Sequence, residues 1–496
     1  MSEQYILVID EGTTGTRALI VDRNSKIKAQ AYTEFTQHHP APDRVEHDAE
    51  EIWSATQAMV TQALAEAGLK PTDVAAIGIT NQRATTVVWD RATGRPIAPA
   101  IVWQDTRMAG YIETIREEWA EKVYGHTGWP LIPLYSSLSL QWIMENVANA
   151  RARAEAGELA FGTIDSWLIH KLTGGKVHAI SASNASAAGS YDHLNNEWYG
   201  EWLGFLGVPL ALFPDIYDDS GAFGVTAPSV LGAEIPITSA LGDQQAALFG
   251  QGCLEPGTVK CTHGTGTFLD MNIGSKLAIS KSGLGTIIAW RMNGESTYAL
   301  EGYAAVTGSA VQWLRDGAEM IEASAETEAL ATSVPGNDRV YFVPALAGLA
   351  APYWDSFARG MIIGITQATT RAHIVRATLE GIVYTTKDFL ETMRQGSGVK
   401  ITSIKVDGGA ARNDFLMQFQ ADMLDAEVVR PINPEATSLG AAYMAGLAVG
   451  YWDSTADCFA SQKVDRVFQP EMSAEERERL YGEWSEAVKR CMGWAK

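Results

Sequence analysis

Apolar and polar positions along this chain follow two periods, and the points where the period changes mark its motifs. Tyr5-Ile-Leu-Val-Ile9 is a continuous apolar run ending at Asp10. It is too short for a helix and bounded by turn residues, so it reads as a buried strand. A Gly/Thr-rich turn, Asp10-Glu-Gly-Thr-Thr-Gly-Thr-Arg17, leads to a second run at Ala18–Val21, and Asn24-Ser25 separates that from a third segment, Lys26–Tyr32. This pattern predicts a three-stranded antiparallel meander whose first turn is rich in donors. Asp48-Ala-Glu-Glu51 then has the capping-box pattern, with Asp48 as N-cap, ahead of Ile52, Trp53, Met59, Val60 and Ala63 on one helical stripe. Two β-branched stretches, Val74–Thr80 and Thr85–Trp89, complete an order of strands and helix that implies α/β layers.

The second half repeats the device. A strand at Thr258–Thr262 enters Gly264-Thr-Gly-Thr267 and continues into Phe268–Met271. Two strand–turn–strand units about 250 residues apart in a chain of 496 predict two related domains facing each other across a cleft, not a solenoid. The expected division is 1–250 and 251–496, at the Gly/Pro-containing connector Gly250–Gly257. A third glycine turn, Val406-Asp-Gly-Gly-Ala-Ala-Arg-Asn413, follows a strand at Ile404–Val406 and precedes a helix over Phe415–Leu424.

Composition narrows the function classes. With 38 Lys+Arg against 59 Asp+Glu the net charge is −21, which repels a phosphate backbone and argues against nucleic-acid binding. A nucleotide would meet the same repulsion, so any phosphate site must be local, built from backbone N–H groups, hydroxyls and a metal. The longest nearly apolar stretch, Leu439–Trp452, is too short to cross a bilayer and reads as a buried helix, so no membrane insertion is expected. Cys253, Cys261, Cys458 and Cys491 form no CxxC pair, which suits a reducing, cytoplasmic compartment. There is no Walker-type GxxxxGK[ST], no GxGxxG, no HExxH and no GxSxG. Chemistry therefore rests on carboxylates, hydroxyls and backbone donors.

The first candidate is Asp10–Arg17. A carboxylate at a strand end can hold Mg²⁺ through water. Gly12 and Gly15 let backbone N–H groups approach an anion, Thr13, Thr14 and Thr16 add hydroxyls, and Arg17 can neutralise a phosphoryl oxygen. The same residues also make an ordinary hairpin turn. The second candidate is Gly242-Asp-Gln-Gln245, ahead of Ala246-Ala-Leu-Phe249. Asp243 is either a helix N-cap or, ionised with a lowered pKa at a helix start, a base accepting a hydroxyl proton, with Gln244 orienting the alcohol. Arg83 and Trp103 close two short segments, Asn81-Gln-Arg83 and Ile101-Val-Trp-Gln104, where polar and aromatic residues line a cleft or, for Trp103, pack in a core.

Taken together these motifs resemble the FGGY carbohydrate kinases, and within them the glycerol kinases, over nearly the whole chain. The matching stretches include Asp10–Thr14, Val45–Asp48, Ile77–Arg83, Gly242–Gln251, Tyr298–Gly302, Ala351–Asp355, Asp407–Ala410 and Leu439–Tyr443. The resemblance implies two actin-like domains of the ribonuclease-H type, with ATP and an alcohol between them. It implies Asp10 for Mg²⁺, Gly12, Thr13, Thr14 and Arg17 for the nucleotide phosphates, and Thr265, Gly308, Gln312, Gly409 and Asn413 for the rest of ATP. It assigns Asp243 as catalytic base, with Gln244, Arg83, Trp103 and Phe268 around a small polyol, in an enzyme expected to be a homo-oligomer (dimer or tetramer). Three departures bear on the substrate. Ala84 stands where the family pattern has glutamate, and Leu134 where it has a tyrosine, unless a one-residue shift lets Tyr135 fill that place. Glu11 replaces a glutamine and adds a carboxylate beside the phosphates. The first two favour a larger pocket and a longer polyol as the alternative to glycerol.

Overall fold

Strand β1 (Tyr5–Glu11) is buried everywhere except at Asp10, which is half-buried. A strand so apolar must be covered on both faces, and β1 lies in the middle of a five-stranded sheet. On one side it pairs antiparallel with β2 (Gly15–Val21), which pairs antiparallel with β3 (Ile27–Glu34). On the other it runs parallel to β4 (Val74–Asn81), which is parallel in turn to β5 (Ile237–Gly242). Helix α1 (Ala49–Ala67) supplies the crossover that a parallel pair requires. The computed structural model describes residues 4–304, 306–433 and 435–496.

The second sheet has the same plan with additions. β6 (Thr258–His263) pairs antiparallel with β7 (Thr267–Gly274), and β8 (Gly285–Met292) lies outside β9 (Glu295–Ala304) on that flank. On its other flank β6 is parallel to β10 (Ser403–Asp407), then β11 (Glu427–Pro431), with β12 (Val464–Phe468) antiparallel at the edge. Both sheets thus share an antiparallel meander followed by two parallel strands.

Register decides where chemistry can gather. Asp10 and Leu241 both pair with Thr80, so β1, β4 and β5 end together. Their next residues are the Gly12 turn, Gln82-Arg83 and Asp243, the carboxyl-end position where α/β sheets place their sites. Helices α2 (Asp243–Gly250) and α3 (Ala436–Ala448) cross in contact between the halves. A Cβ on Gly250 would lie 1.9 Å from the Ala436 carbonyl oxygen, and one on Gly440 would lie 1.9 Å from that of Ala246, so only glycine admits this approach. Although α3 comes late in the chain, it packs against β1, β4 and β5 of the first sheet.

Local details depart from expectation in small ways. Asp48 caps α1 by accepting from Glu50 N at 2.9 Å. Glu51 does not close the box, because it accepts from Thr36 N and Oγ1 at 3.0 and 2.9 Å. The strand expected at Thr85–Trp89 covers Val87–Asp90, since Ala84 is left-handed (φ 59°) and delays its start. All four cysteines are free and buried. Among the described residues no helix is long and apolar enough to cross a membrane.

Candidate active site

The first glycine turn is wired into its surroundings. Gly12 N donates to Gly15 O (3.0 Å), Gln82 Nε2 donates to Gly12 O (3.0 Å), and Phe35 N donates to Thr14 O (3.3 Å). Trp103 Nε1 donates to the Thr13 hydroxyl at 3.0 Å, and the indole is 37% exposed. Trp103 therefore lines the cleft and is no core residue. Asp10 accepts from Arg17 Nη2 and Ser438 Oγ, each at 2.6 Å and each at Oδ2. Arg17 Nη1 also pairs with Glu435 at 2.5 Å, so a residue expected to face phosphates is held between the two halves of the chain.

Glu11 points away from that turn. It is fully buried and accepts from Thr16 Oγ1 (2.5 Å) and Thr56 Oγ1 (3.1 Å). Burial pushes its carboxyl up to about 8, the two hydroxyls opposing only in part. The extra charge that its presence suggested is thus absent at neutral pH, and Glu11 is a neutral acid standing in for an amide.

Asp243 opens α2 as its first residue, with Gly242 in the N-cap position, so the capping alternative does not hold. Its Oδ1 accepts from Gln244 N at 2.8 Å and lies 3.4 Å from Arg83 Nε. The side chain remains 35% exposed. Contrary to the lowered pKa expected at a helix start, its position within the cleft raises the carboxyl from its ordinary value, with Arg83 opposing. Burial outweighs the helix end here. A carboxylate made more basic and left accessible is suited to taking a proton.

Arg83 is gripped from across the domain boundary. Its two terminal nitrogens donate to Glu301 of β9 at 2.7 and 2.9 Å, a bidentate pair. Lys260 of β6, only 1% exposed, reaches Gln244 Oε1 and pairs with Asp270 of β7 at 3.1 Å. Phe268 and Tyr303, cross-strand partners on β7 and β9, pack with ring centroids 4.5 Å apart, and Tyr303 is 44% exposed. Lys260, Asp270, Glu301, Tyr303, Glu435 and Ser438 were not singled out from the sequence. Only Glu301 lay within a stretch that carried the family resemblance.

The second glycine turn opens into space. Gly308 N donates to Gly264 O (3.0 Å), and a Cβ on Gly308 would lie 2.6 Å from that oxygen. Beside this contact is a cavity of about 720 Å³ whose lining includes Thr265, Gly308, Gln312, Gly409 and Asn413. The five residues expected to hold the body of ATP are therefore brought together in one place. The volume falls in the range of small-ligand sites.

Tyr135 is a correction. It is fully buried, and its hydroxyl donates to Trp129 O (2.6 Å) and lies 3.0 Å from Thr127 Oγ1. It therefore faces the core and does not take the substrate position left by Leu134, which itself packs half-buried against the first-half core. Ala84 is 2% exposed and its carbonyl accepts from Ser136 Oγ at 3.0 Å.

Two ribonuclease-H-type sheets, an accessible carboxylate at the end of one and a glycine-lined cavity at the end of the other, define a two-domain, actin-like kinase. The chain belongs to the FGGY family of carbohydrate kinases. Its residues 5–250 match the N-terminal domain of that family and residues 259–449 the C-terminal domain. It is 51% identical over 494 residues to Glycerol kinase 2 of Thermotoga maritima, covering 99% of this chain and 100% of that one. It is 50% identical to the glycerol kinase of Deinococcus radiodurans, covering 100% and 99%. The crystal structure of Plasmodium falciparum glycerol kinase with ADP superposes with a TM-score of 0.94 at 32% identity, covering 99% of this chain and 98% of that one. The chain is a phosphotransferase with an alcohol acceptor.

Proposed function

We propose that this enzyme transfers the γ-phosphoryl group of ATP to the terminal hydroxyl of glycerol, giving sn-glycerol 3-phosphate. The observation that carries the reading is Asp243, accessible, raised in basicity and placed between Arg83 and the sheet ends. The names of the relatives at about half identity support glycerol as the acceptor. Asp243 accepts the hydroxyl proton as the alcohol oxygen attacks phosphorus in line. Arg83 and Gln244 donate to the substrate oxygens, and Trp103 and Phe268 wall the carbon chain. Thr265, Gly308, Gln312, Gly409 and Asn413 hold the nucleotide, while the Gly12–Thr14 turn and Arg17 meet the transferred phosphoryl group.

The residues present fit Mg²⁺. Among the described residues no three His, Cys, Asp or Glu side chains cluster as metal ligands, and both contacts of Asp10 fall on one oxygen. A lone strand-end carboxylate is the donor expected for an ion that keeps its water and phosphate ligands. Asp10 would hold it, and Mg²⁺ would neutralise charge on the β- and γ-phosphoryl oxygens. The domain limits 1–250 and 251–496 suit this division of labour, with the alcohol on the first domain and the nucleotide on the second. Four free, buried cysteines suit a reducing cytoplasm. Exposed Trp354, Phe357 and Trp494 suit a homo-oligomer, a dimer or tetramer readable by light scattering.

ADP release from Mg·ATP over glycerol, erythritol, threitol, xylitol and ketoses tests the reading, with the highest kcat/KM expected for glycerol. A tetritol or pentitol preference would establish the second reading, a longer-polyol kinase. What favours that reading is that neither Leu134 nor the core-facing Tyr135 offers the substrate a hydroxyl. The absence of ADP release with every alcohol would point instead to a non-catalytic actin-like ATP-binding protein.

A further inference from the structure

The face of the second sheet that looks into the cleft carries more carboxylates than its cations can neutralise. Asp270 and Glu301 are direct cross-strand partners, so their side chains leave the same face with Cβ atoms about 5 Å apart. Lys260 is the next cross-strand neighbour of Asp270. Asp270 is fully buried, its Oδ2 takes Lys260, and its Oδ1 has no partner. Glu301 spends both oxygens on Arg83. Arg83 and Lys260 thus face Asp243, Asp270 and Glu301, and the neighbouring strand adds Lys405 and Asp407, which leaves four carboxylates to three cations. Two ionised carboxylates directly opposite each other in a buried sheet repel strongly, and a buried carboxylate oxygen without a donor is costly. One proton placed on Asp270 relieves both, since Oδ1–H then has an acceptor in Glu301.

We propose that Asp270 is a positioning residue of the alcohol site: as a neutral acid it donates from Oδ1 to Glu301 and accepts from Lys260 at Oδ2. Glu301 is thereby held to present Arg83, and Lys260 is held to pin Gln244 by its carbonyl oxygen, leaving the Gln244 amide nitrogen for the alcohol. The inference rests on the alcohol-kinase reading above. Beyond the wall that Phe268 supplies, it gives the second domain an indirect part in recognising the alcohol, since Lys260, Asp270 and Glu301 come from β6, β7 and β9 while the residues they orient belong to the first. Burial raises the Asp270 carboxyl above its ordinary range, with Lys260 opposing and Glu301 adding to the rise.

The test compares Asp270→Asn with Asp270→Ala in the full-length protein, using glycerol as the probe. Asparagine reproduces the neutral acid, donating to Glu301 and accepting from Lys260. Asp270→Asn should keep the glycerol KM within about twofold of wild type near pH 6.5 and remove the alkaline fall in kcat/KM that deprotonation of Asp270 produces. Asp270→Ala leaves Lys260 and Glu301 without their partner and should raise the glycerol KM about tenfold or more with the ATP KM within about twofold. Unchanged nucleotide binding by calorimetry certifies that the alanine variant is folded. Equal damage by both substitutions would show that the ionised form is needed and overturn the proposal, as would an unchanged glycerol KM in the alanine variant. Infrared difference spectra read the proton independently of turnover. A protonated-carboxyl band that stands in the wild type minus Asp270→Asn difference, where the band of Glu11 cancels, supports the proposal, and its absence from that difference sinks it. Wild-type protein that ignores glycerol would fail the proposed function alone, and the infrared comparison would still decide the proton.

Discussion

The two glycine turns descend from the same strand–turn–strand plan but meet their surroundings differently. The first, at Gly12–Gly15, is stitched to neighbours by Trp103, Gln82 and Phe35, and the charges beside it are already paired, Arg17 with Asp10 and Glu435. The second, at Gly264–Thr267, is tied to the Thr307–Ser309 segment by backbone bonds and by the Thr267 and Ser309 hydroxyls, carries no ion pair of its own among the described residues, and opens into a cavity of about 720 Å³. In a chain of net charge −21, a trianionic nucleotide is best received where side-chain carboxylates are few and backbone donors many. Charge is concentrated on the other side, where bonds are made and broken. The lesson is a division between a holding turn and a reacting turn, and it can be broken at either one.

The largest effect is expected on the reacting side. Asp243→Asn keeps shape and hydrogen bonding to Gln244 N but cannot take a proton, so kcat should fall about 10²–10⁴-fold. ATP affinity, measured by calorimetry, should stay within about twofold, because the residues proposed to hold the nucleotide line the other turn. A kcat within tenfold of wild type would remove Asp243 from the chemistry.

The complementary effect belongs to the holding side. Gly308→Ala places a methyl group 2.6 Å from the Gly264 carbonyl oxygen, which must push the two loops apart. Overpacking of this kind costs about 1–3 kcal/mol. The ATP KM should therefore rise roughly 5–100-fold with the glycerol KM nearly unchanged. Equal changes in both constants would mean that the turns do not divide the work as described.

A smaller effect tests the pairing between the halves. Glu435→Gln removes one competitor for Arg17 while Asp10 remains. Both partners are about a quarter exposed, so the ion pair is worth about 0–1 kcal/mol. The ATP KM should drop, by no more than about fivefold. A rise would show that Glu435 orders Arg17 for the phosphates and does not compete with them.

How much of this was legible beforehand follows from what a linear pattern can encode. Tyr5–Ile9 read as a buried strand because an apolar run between turn residues has few other structures to enter, and the strand extends only two residues further, to Glu11. The five residues lining the nucleotide cavity were reachable through the family resemblance, residue by residue. The Lys260–Asp270–Glu301 cluster was not. In Thr258–Thr262 and Leu269–Ile273 the polar positions alternate with apolar ones, the pattern of a sheet with one face in water. Here that face is covered by the other domain, and nothing local in the chain records what will cover a face. Tyr135 failed for a related reason. A phenol one residue from the expected place lies in a different direction, and it turned toward Trp129 and the core. Asp243 stands at a helix start as expected and lies beside Arg83, but its basicity was read with the wrong sign, because the helix end is visible in sequence and the depth of the cleft is not.

On activity the smallest effect is expected at Glu11, where the comparison can be sharpened through stability. Glu11 ordinarily ionises at 4.5, and burial beside Thr16 and Thr56, with Asp10 adjacent, raises it to about 8 in the folded protein. Between those two values the folded state binds a proton that the unfolded state has released. Stability from this group is therefore complete below pH 4.5, declines as pH rises, and is lost once pH passes about 8. Glu11→Gln has no such proton to lose and should donate to one of the same hydroxyl oxygens. The gap in Tm between variant and wild type should be near zero at pH 4.5, widen steadily toward pH 8 and then level off, where it corresponds to a stability difference on the order of a few kcal/mol. Turnover near pH 7 should change by less than about twofold, because the neutral acid already behaves as an amide there. Differential scanning fluorimetry from pH 5 to 9 decides it. A gap that stays flat across that range would mean that Glu11 is ionised in the folded protein, and that the reacting turn carries a further negative charge beside Asp10.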